Sequence, residues 1–152
     1  MQGGAPLPFI GRTREADLLR HRAASTGSNP HAVQLVQGPA GIGKTRLVHE
    51  ALDTADVRAI WVRCWDDSSP LWPWCQVLAQ LGRGTDHLFT SDAAQDRLAT
   101  FSAMLAELDS CGPVVIVIDD IHLSDHATLL FTRFLARAEP PPNALVVITA
   151  RT

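Results

Sequence analysis

Residues 38–45 read Gly38-Pro39-Ala40-Gly41-Ile42-Gly43-Lys44-Thr45. This stretch matches the pattern GxxxxGK(S/T), and it lies between a predicted strand at 32–37 and a predicted helix that begins near Lys44. Small residues let backbone N–H groups turn inward around phosphate oxygens, and the helix N-terminus adds the positive end of its dipole. We therefore predict that this stretch, together with Arg46, binds phosphate groups.

Two side chains of the stretch have chemistry of their own. Lys44 is the only lysine among 13 basic residues, the others being arginine, and a flexible point charge is what this position of the pattern requires. We expect Lys44 to reach the β- and γ-phosphates of a nucleotide and the Thr45 hydroxyl to ligate Mg²⁺. The alternative, a glycine turn that merely joins strand to helix, is disfavoured because the pattern takes the only lysine.

A second element supports this interpretation. The apolar run 114–118 is followed by Asp119 and Asp120, which is typical of a Walker B strand. We expect Asp119 to hold Mg²⁺ through water and Asp120 to orient or deprotonate the attacking water. Taken alone, the acids could equally be a solvated turn. A GTPase is disfavoured because neither DxxG here nor NKxD elsewhere occurs in the sequence.

The rest of the chain alternates strands with helices, which predicts an α/β domain. A helix should begin after Thr13, and a helix capped by Ser124 should carry apolar residues on one face. The other predicted elements are a strand at 57–63, a helix from Pro73, a helix with Leu98, Phe101, Leu105 and Leu108 on one face, and strands at 114–119 and 143–149. We expect one domain over residues 1–152, a three-layer α/β/α P-loop NTPase sandwich with a parallel sheet, apparently truncated after the fourth strand.

The amino-acid composition disfavours several kinds of protein and several kinds of binding partner. Hydrophobic residues make up 46% and charged residues 19% of the 152 residues, which is globular and not disordered. The net charge of −3 disfavours direct nucleic-acid binding. Three cysteines without metal-type spacing favour free thiols, and no apolar run approaches the ~18 residues of a membrane span. We expect a cytoplasmic protein without a membrane partner.

Four segments resemble the ATPase modules of bacterial signal-transduction ATPases with numerous domains, especially those of large LuxR-type transcription activators. The segments are residues 9–15, the phosphate loop continuing as GIGKTRL, residues 63–74 and residues 114–125. Thr13 and Leu123 depart from the family pattern, which usually has Glu and Trp there.

The resemblance implies roles for residues outside the loop. Ile10, Gly11 and Arg12 would lie near the adenine, and Arg151 after the fourth strand would read the γ-phosphate. Hydrophobic anchoring by Ile10 and an exposed terminal charge at Arg151 are the alternatives. The resemblance also implies a fifth strand beside the strand at 32–37, so we expect that strand to lie at an open sheet edge that invites self-association.

The function predicted from these features is Mg-ATP binding with slow hydrolysis in a regulatory switch that contacts other domains or subunits. Lys44, Asp120 and Arg151 are the expected catalytic residues, and ATP, ADP and Mg²⁺ the expected ligands. One alternative is a module that holds nucleotide without useful turnover, and another, less favoured, is a small-molecule phosphotransferase. A metal site at His122 and His126 and base stacking on the four tryptophans are both disfavoured.

Overall fold

The computed structural model describes residues 12–28, 32–66, 69–89 and 96–152, and four parallel strands form its sheet. The strands are β1 (Val33–Gly38), β2 (Ala59–Arg63), β3 (Val114–Asp119) and β4 (Ala144–Arg151). Their order across the sheet is β1-β4-β3-β2, so β3 and β4 lie in the middle. Every residue of β3 is buried, as an unbroken apolar run predicts for a strand covered on both faces.

Five α-helices accompany the sheet in the described part of the chain. They are α1 (Thr13–Ala24), α2 (Lys44–Asp53), α3 (Trp72–Gln80), α4 (Arg97–Cys111) and α5 (His126–Ala136), with short 3-10 turns at Asp86–Phe89 and Ile121–Leu123. Within the described ranges, none of the helices combines the length and apolar character needed to cross a bilayer.

The helices cover both faces of the sheet, which confirms the predicted three-layer sandwich. Successive side chains of a strand point to opposite faces, so β3 and β4 contribute to two separate cores. Val115 and Val117 pack with apolar residues of α1 and α2. Ile116 and Ile118 pack with those of α3, α4 and α5. The loop between β1 and α2 follows Gly38, which is buried, and leads into α2, whose inner face is buried against the smaller core, that of Val115 and Val117.

An aromatic cluster lies in the core between the sheet and α3, α4 and α5. Trp74 is fully buried, and its ring lies edge-on to that of Phe131 with the centroids 4.8 Å apart. Its indole N–H donates to Thr132 Oγ1 at 3.2 Å, which satisfies the polar atom that burial would otherwise leave unpaired. Trp74 is thus a packing residue, as predicted, whereas Trp65 is 50% exposed and lies edge-on to Trp72.

The predicted apolar face of α4 was partly wrong. Leu98 is 64% exposed, and the buried residues of the helix are Thr100, Phe101, Met104 and Leu108. Because each residue advances about 100° around a helix, Leu98 lies roughly 100° from the centre of that face. Leu105, nearer the face, is partly buried against the core.

β1 lies at one edge of the described sheet, as predicted, and pairs there with β4. Leu35 of β1 is 50% exposed and Leu18 of α1 is 58% exposed. Both line a groove of about 340 Å³ that runs along the edge. Self-association through this edge stays a prediction.

The start of α5 also differs from the sequence prediction. Asp125, and not Ser124, caps the helix: its carboxylate accepts the N–H of Thr128 at 2.9 Å and the hydroxyl of Thr128 at 2.6 Å. The Ser124 hydroxyl instead donates to the Ile121 carbonyl. Asp125 also accepts the N–H of Leu71 at 3.2 Å, so one carboxylate joins the starts of α3 and α5.

We expect Asp125→Ala to lower the free energy of unfolding by about 1–2 kcal/mol, the usual cost of losing a helix cap. Burial alone would raise the pKa of Asp125, but the hydrogen bonds from Thr128 and Leu71 outweigh it and lower that pKa. A lowered folded-state pKa means that the contribution is present above the ordinary carboxyl pKa of about 4 and is lost as pH falls through the folded-state value. Urea unfolding of both proteins at pH 7 and in acid checks this, because their stabilities should converge in acid. A difference that grows in acid would contradict the assignment.

Candidate nucleotide site

A cleft of about 530 Å³ opens at the carboxyl ends of the parallel strands. This is where ligands bind in open α/β sheets. The residues that line the cleft are Ala40, Gly41, Gly43, Lys44, Thr45, Arg46, Arg63, Asp120, His122 and Arg151. They come from the glycine-rich loop and from the ends of β2, β3 and β4.

The loop takes a conformation that its glycines allow. Gly41 has φ 75° and Gly43 has φ 92°, the left-handed region in which other residues are strained. The turn at Gly43 leads directly into α2, and no side chain caps that helix. The first N–H groups of α2 therefore lack intrahelical acceptors and point to the loop side.

Lys44 lies beneath the loop and is 8% exposed. Its ammonium group donates to the carbonyl oxygens of Gly38 at 3.0 Å and Pro39 at 2.9 Å. These bonds satisfy a buried cation and fold its side chain back along the loop. The charge is thereby held within the cleft wall, at the point where the loop begins.

Thr45 and Asp119 meet although they are 74 residues apart. The Thr45 hydroxyl lies 2.9 Å from Asp119 Oδ1 and 3.2 Å from Oδ2. Asp119 is 7% exposed, and its Oδ1 also accepts a hydrogen bond from the Thr149 hydroxyl. The backbone of Asp119 is fixed too, because the Cys64 N–H donates to its carbonyl at 2.9 Å.

Asp120 begins a sharp turn and has φ 57° and ψ 48°. Its Oδ2 lies 3.3 Å from Arg63 Nε, on a side chain that is 77% exposed. Such an exposed ion pair contributes little to stability. It does orient the carboxylate at the mouth of the cleft, next to the phosphate loop.

Arg151 is the last residue of β4 and pairs in register with Gly38. The prediction that Arg151 follows the fourth strand was therefore wrong, because β4 extends two residues beyond the predicted end at 149. Its backbone N–H donates to His122 Nδ1 at 3.2 Å. Arg151 is exposed and lines the cleft, and His122 is engaged with the backbone of β4.

Cys64 lies at the end of β2 and is 1% exposed. Burial raises the pKa of its thiol to about 12, with further increases from the charges of Asp125, Asp120 and Asp119. The thiol is therefore neutral at physiological pH and a poor nucleophile. Cys64 contributes packing and its backbone N–H, not covalent chemistry.

The residues present fit a nucleotide and Mg²⁺. Four cationic side chains and one carboxylate line the cleft, so the site favours an anion although the whole chain carries a net charge of −3. Mg²⁺ prefers oxygen ligands and usually keeps several waters beside substrate phosphates. Thr45 and Asp119 supply such oxygens. Among the described residues, at the cleft or away from it, no three His, Cys, Asp or Glu side chains are grouped to hold a metal ion.

Some of the predicted site residues are outside the described part of the chain, and others do not line the cleft. Ile10 and Gly11 are outside the described residues. Arg12 lines the groove along β1 and not the phosphate cleft. Ile42 is 44% exposed and does not line the cleft. The predicted residues that line the cleft are Ala40, Gly41, Gly43, Lys44, Thr45, Arg46, Asp120 and Arg151. Asp119 joins them through its contact with Thr45.

Residues 8–148 match the family described as AAA ATPase domain. The chain belongs to this family. No curated protein is significantly similar to the chain. Family membership supports nucleotide binding and possible hydrolysis, and it accounts for the glycine-rich loop and the paired acids of this AAA ATPase domain.

Sequence reasoning assigned no role in the AAA ATPase domain site to Thr149 or Arg63. Thr149 was taken only as part of a predicted strand, and Arg63 as the end of the predicted strand at 57–63 and as part of a resembling segment. Thr149 has a signal that could have found it, because it is a polar residue at the carboxyl end of an apolar strand. Arg63 has none, since a charged residue at the end of a strand is common.

Proposed function

We propose that this AAA ATPase domain binds Mg-ATP and hydrolyses it slowly, as the nucleotide-dependent switch of a larger regulatory ATPase of the LuxR-type class. One observation carries the proposal: Lys44 and Thr45 of the loop converge with Asp119 and Asp120 on one cation-lined cleft. The three free cysteines support a reducing, cytoplasmic setting.

The residues divide the binding of the triphosphate among them. The N–H groups at the start of α2 donate to phosphate oxygens, and Lys44 turns from the Gly38 and Pro39 carbonyls towards the β- and γ-phosphates. Thr45, whose hydroxyl donates to Asp119, would hold Mg²⁺ together with that carboxylate. The metal would neutralise the charge that develops on the phosphates.

Hydrolysis needs a water in line with the γ-phosphate, and Asp120 is the acid placed to orient it. Arg151 reads the γ-phosphate from the end of β4, beside Gly38. The family resemblance assigns the adenine to Ile10, Gly11 and Arg12, of which Arg12 lines the groove along β1. Conformational change at the ends of β3 and β4 would then be passed to partner domains.

A second candidate is a module that holds nucleotide without useful turnover. The contact between Asp120 Oδ2 and Arg63 Nε at 3.3 Å favours it, because it holds the carboxylate on the arginine side chain and away from an attacking water. Arg63 is largely exposed, so the contact is readily broken. This is why we favour slow turnover over none.

A titration of the chain with ATP and with GTP, each with and without Mg²⁺, tests the proposal. We expect ATP to bind, and Mg²⁺ to tighten binding by about tenfold or more, because the metal adds charge-assisted contacts through Thr45. GTP should bind more weakly. Calorimetry that finds no binding of either nucleotide would overturn the proposal, and a preference for GTP would overturn the choice of base.

A further inference from the structure

Thr149 is a fully buried polar residue in a strand of otherwise mostly apolar residues. It lies in β4, between β1 and β3, and pairs in register with Val36 of β1. Its hydroxyl donates to Asp119 Oδ1 and accepts the N–H of Asp120 at 2.9 Å. One hydroxyl thus bonds two consecutive residues. It donates to the Asp119 carboxylate and accepts the backbone N–H of Asp120.

These bonds occur where the main-chain ladder stops. The last register pair between β3 and β4 is Ile118 with Ile148. Beyond it, the chain turns at Asp120 into the left-handed conformation, and β4 continues along β1 to Arg151. At that point the Thr149 side chain, and not the backbone of β4, forms the hydrogen bond to the chain that follows β3, and this bond holds the turn against the sheet.

Asp119 Oδ1 receives two hydroxyl donors, from Thr45 and from Thr149. The two threonines belong to different parts of the fold. Thr45 lies on the phosphate loop side and would contact the metal, whereas Thr149 is part of the buried sheet. The bond from Thr149 therefore fixes the carboxylate independently of the ligand. Partners that orient metal-binding groups in this way commonly change metal affinity when they are removed.

The geometry points to Thr149 as a positioning residue with two roles. Its hydroxyl orients the Asp119 carboxylate for Mg²⁺. By accepting the Asp120 N–H, it also fixes the turn that orients the Asp120 carboxylate. This inference rests on the proposed binding of Mg-ATP. In this inference, one buried hydroxyl determines how the two carboxylates lie relative to each other. Thr149 itself is fully buried and does not line the cleft.

The test compares Thr149→Val, which keeps the shape and removes the hydroxyl, with Thr149→Ser, which keeps the hydroxyl. The quantity measured is the ratio of the ATP dissociation constants without and with Mg²⁺. We expect Thr149→Val to reduce this ratio by about tenfold, the scale of a hydrogen bond to a charged group, and Thr149→Ser to restore most of it. Thr132→Val is the matched control, because it removes a buried hydroxyl that likewise makes two hydrogen bonds, donating to the Thr128 carbonyl and accepting the Trp74 N–H away from the cleft.

A second measurement needs no nucleotide. Hydrogen exchange at the Asp120 amide, followed by NMR, should be faster in Thr149→Val and close to wild type in Thr149→Ser and Thr132→Val. If Thr149→Val does not fold, Thr149→Cys serves instead, because a thiol is a weaker donor and acceptor.

The outcomes separate this inference from the proposed function. An unchanged Mg²⁺ ratio in Thr149→Val, or equal weakening with and without Mg²⁺, overturns the inference alone. Unchanged exchange at Asp120 overturns the part that concerns the turn. Wild-type protein that binds no ATP overturns the proposed function and this inference with it.

Discussion

Replacing Lys44 by alanine should weaken ATP binding by about 1.5–3 kcal/mol, or roughly 10- to 150-fold, because it removes a charge-assisted contact to phosphate. Lys44 is the only lysine of the chain and is almost completely buried beneath the loop. Its bonds to the Gly38 and Pro39 carbonyls hold the ammonium close to where the phosphates would lie. Calorimetry of wild type and Lys44→Ala at one salt concentration measures the difference.

The control for Lys44→Ala is Arg133→Ala. Arg133 is an exposed cation of α5 that does not line the cleft, so its removal changes the net charge equally without touching the site. Thermal unfolding of both variants shows whether the loss of binding follows from loss of fold. Equal affinity for wild type and Lys44→Ala would show that the loop does not bind nucleotide in the proposed way.

The two acids should respond differently to removal of their charge. Asp119→Asn should reduce the effect of Mg²⁺ on ATP affinity by about 10- to 100-fold, the usual cost of losing a group that orients a metal ligand. Asp120→Asn should leave ATP affinity within about threefold of wild type, because its carboxylate pairs with the exposed Arg63 and such a pair contributes little. It should lower turnover by about 100-fold or more, as expected when a general base is lost.

Binding is measured by calorimetry with and without Mg²⁺, and turnover by phosphate release over many hours. Equal loss of binding in both variants would show that the division of labour between Asp119 and Asp120 is wrong. Wild-type turnover in Asp120→Asn would remove this carboxylate from the chemistry. Wild type that binds Mg-ATP without releasing phosphate would favour the nucleotide-holding module.

The sequence was most informative where a local pattern fixes local geometry. Residues 38–45 had to form a turn between a strand and a helix, since the glycines at 41 and 43 permit left-handed backbone and Lys44 begins α2. The run 114–119 was placed without error, because six successive buried residues suit a central parallel strand. Both patterns involve neighbours in the chain.

What the sequence could not show depends on contacts between distant residues. The bond from Thr149 to Asp119 spans 30 residues, and no spacing rule relates the end of one strand to the end of another. The contact of Arg63 with Asp120 likewise depends on the strand order. The exposure of Leu98 depends on how α4 is rotated against the sheet, and its mixed sequence allows more than one face.

The cap of α5 shows a smaller kind of error. Ser124 and Asp125 are both good helix caps, and the sequence does not say which one is used. The 3-10 turn at Ile121–Leu123 decides, because the Ser124 hydroxyl closes that turn by donating to Ile121. Asp125 is then the first residue left to cap the helix.

The left-handed backbone at Asp120 has a consequence for engineering this domain. For an L-residue that conformation costs roughly 1–2 kcal/mol, a cost that glycine does not carry. A screen for thermostability alone would therefore favour Asp120→Gly and discard the carboxylate that faces the cleft. Under the proposed role of Asp120, heat resistance and phosphate release are opposed at this position, so a library built for one should be scored for the other.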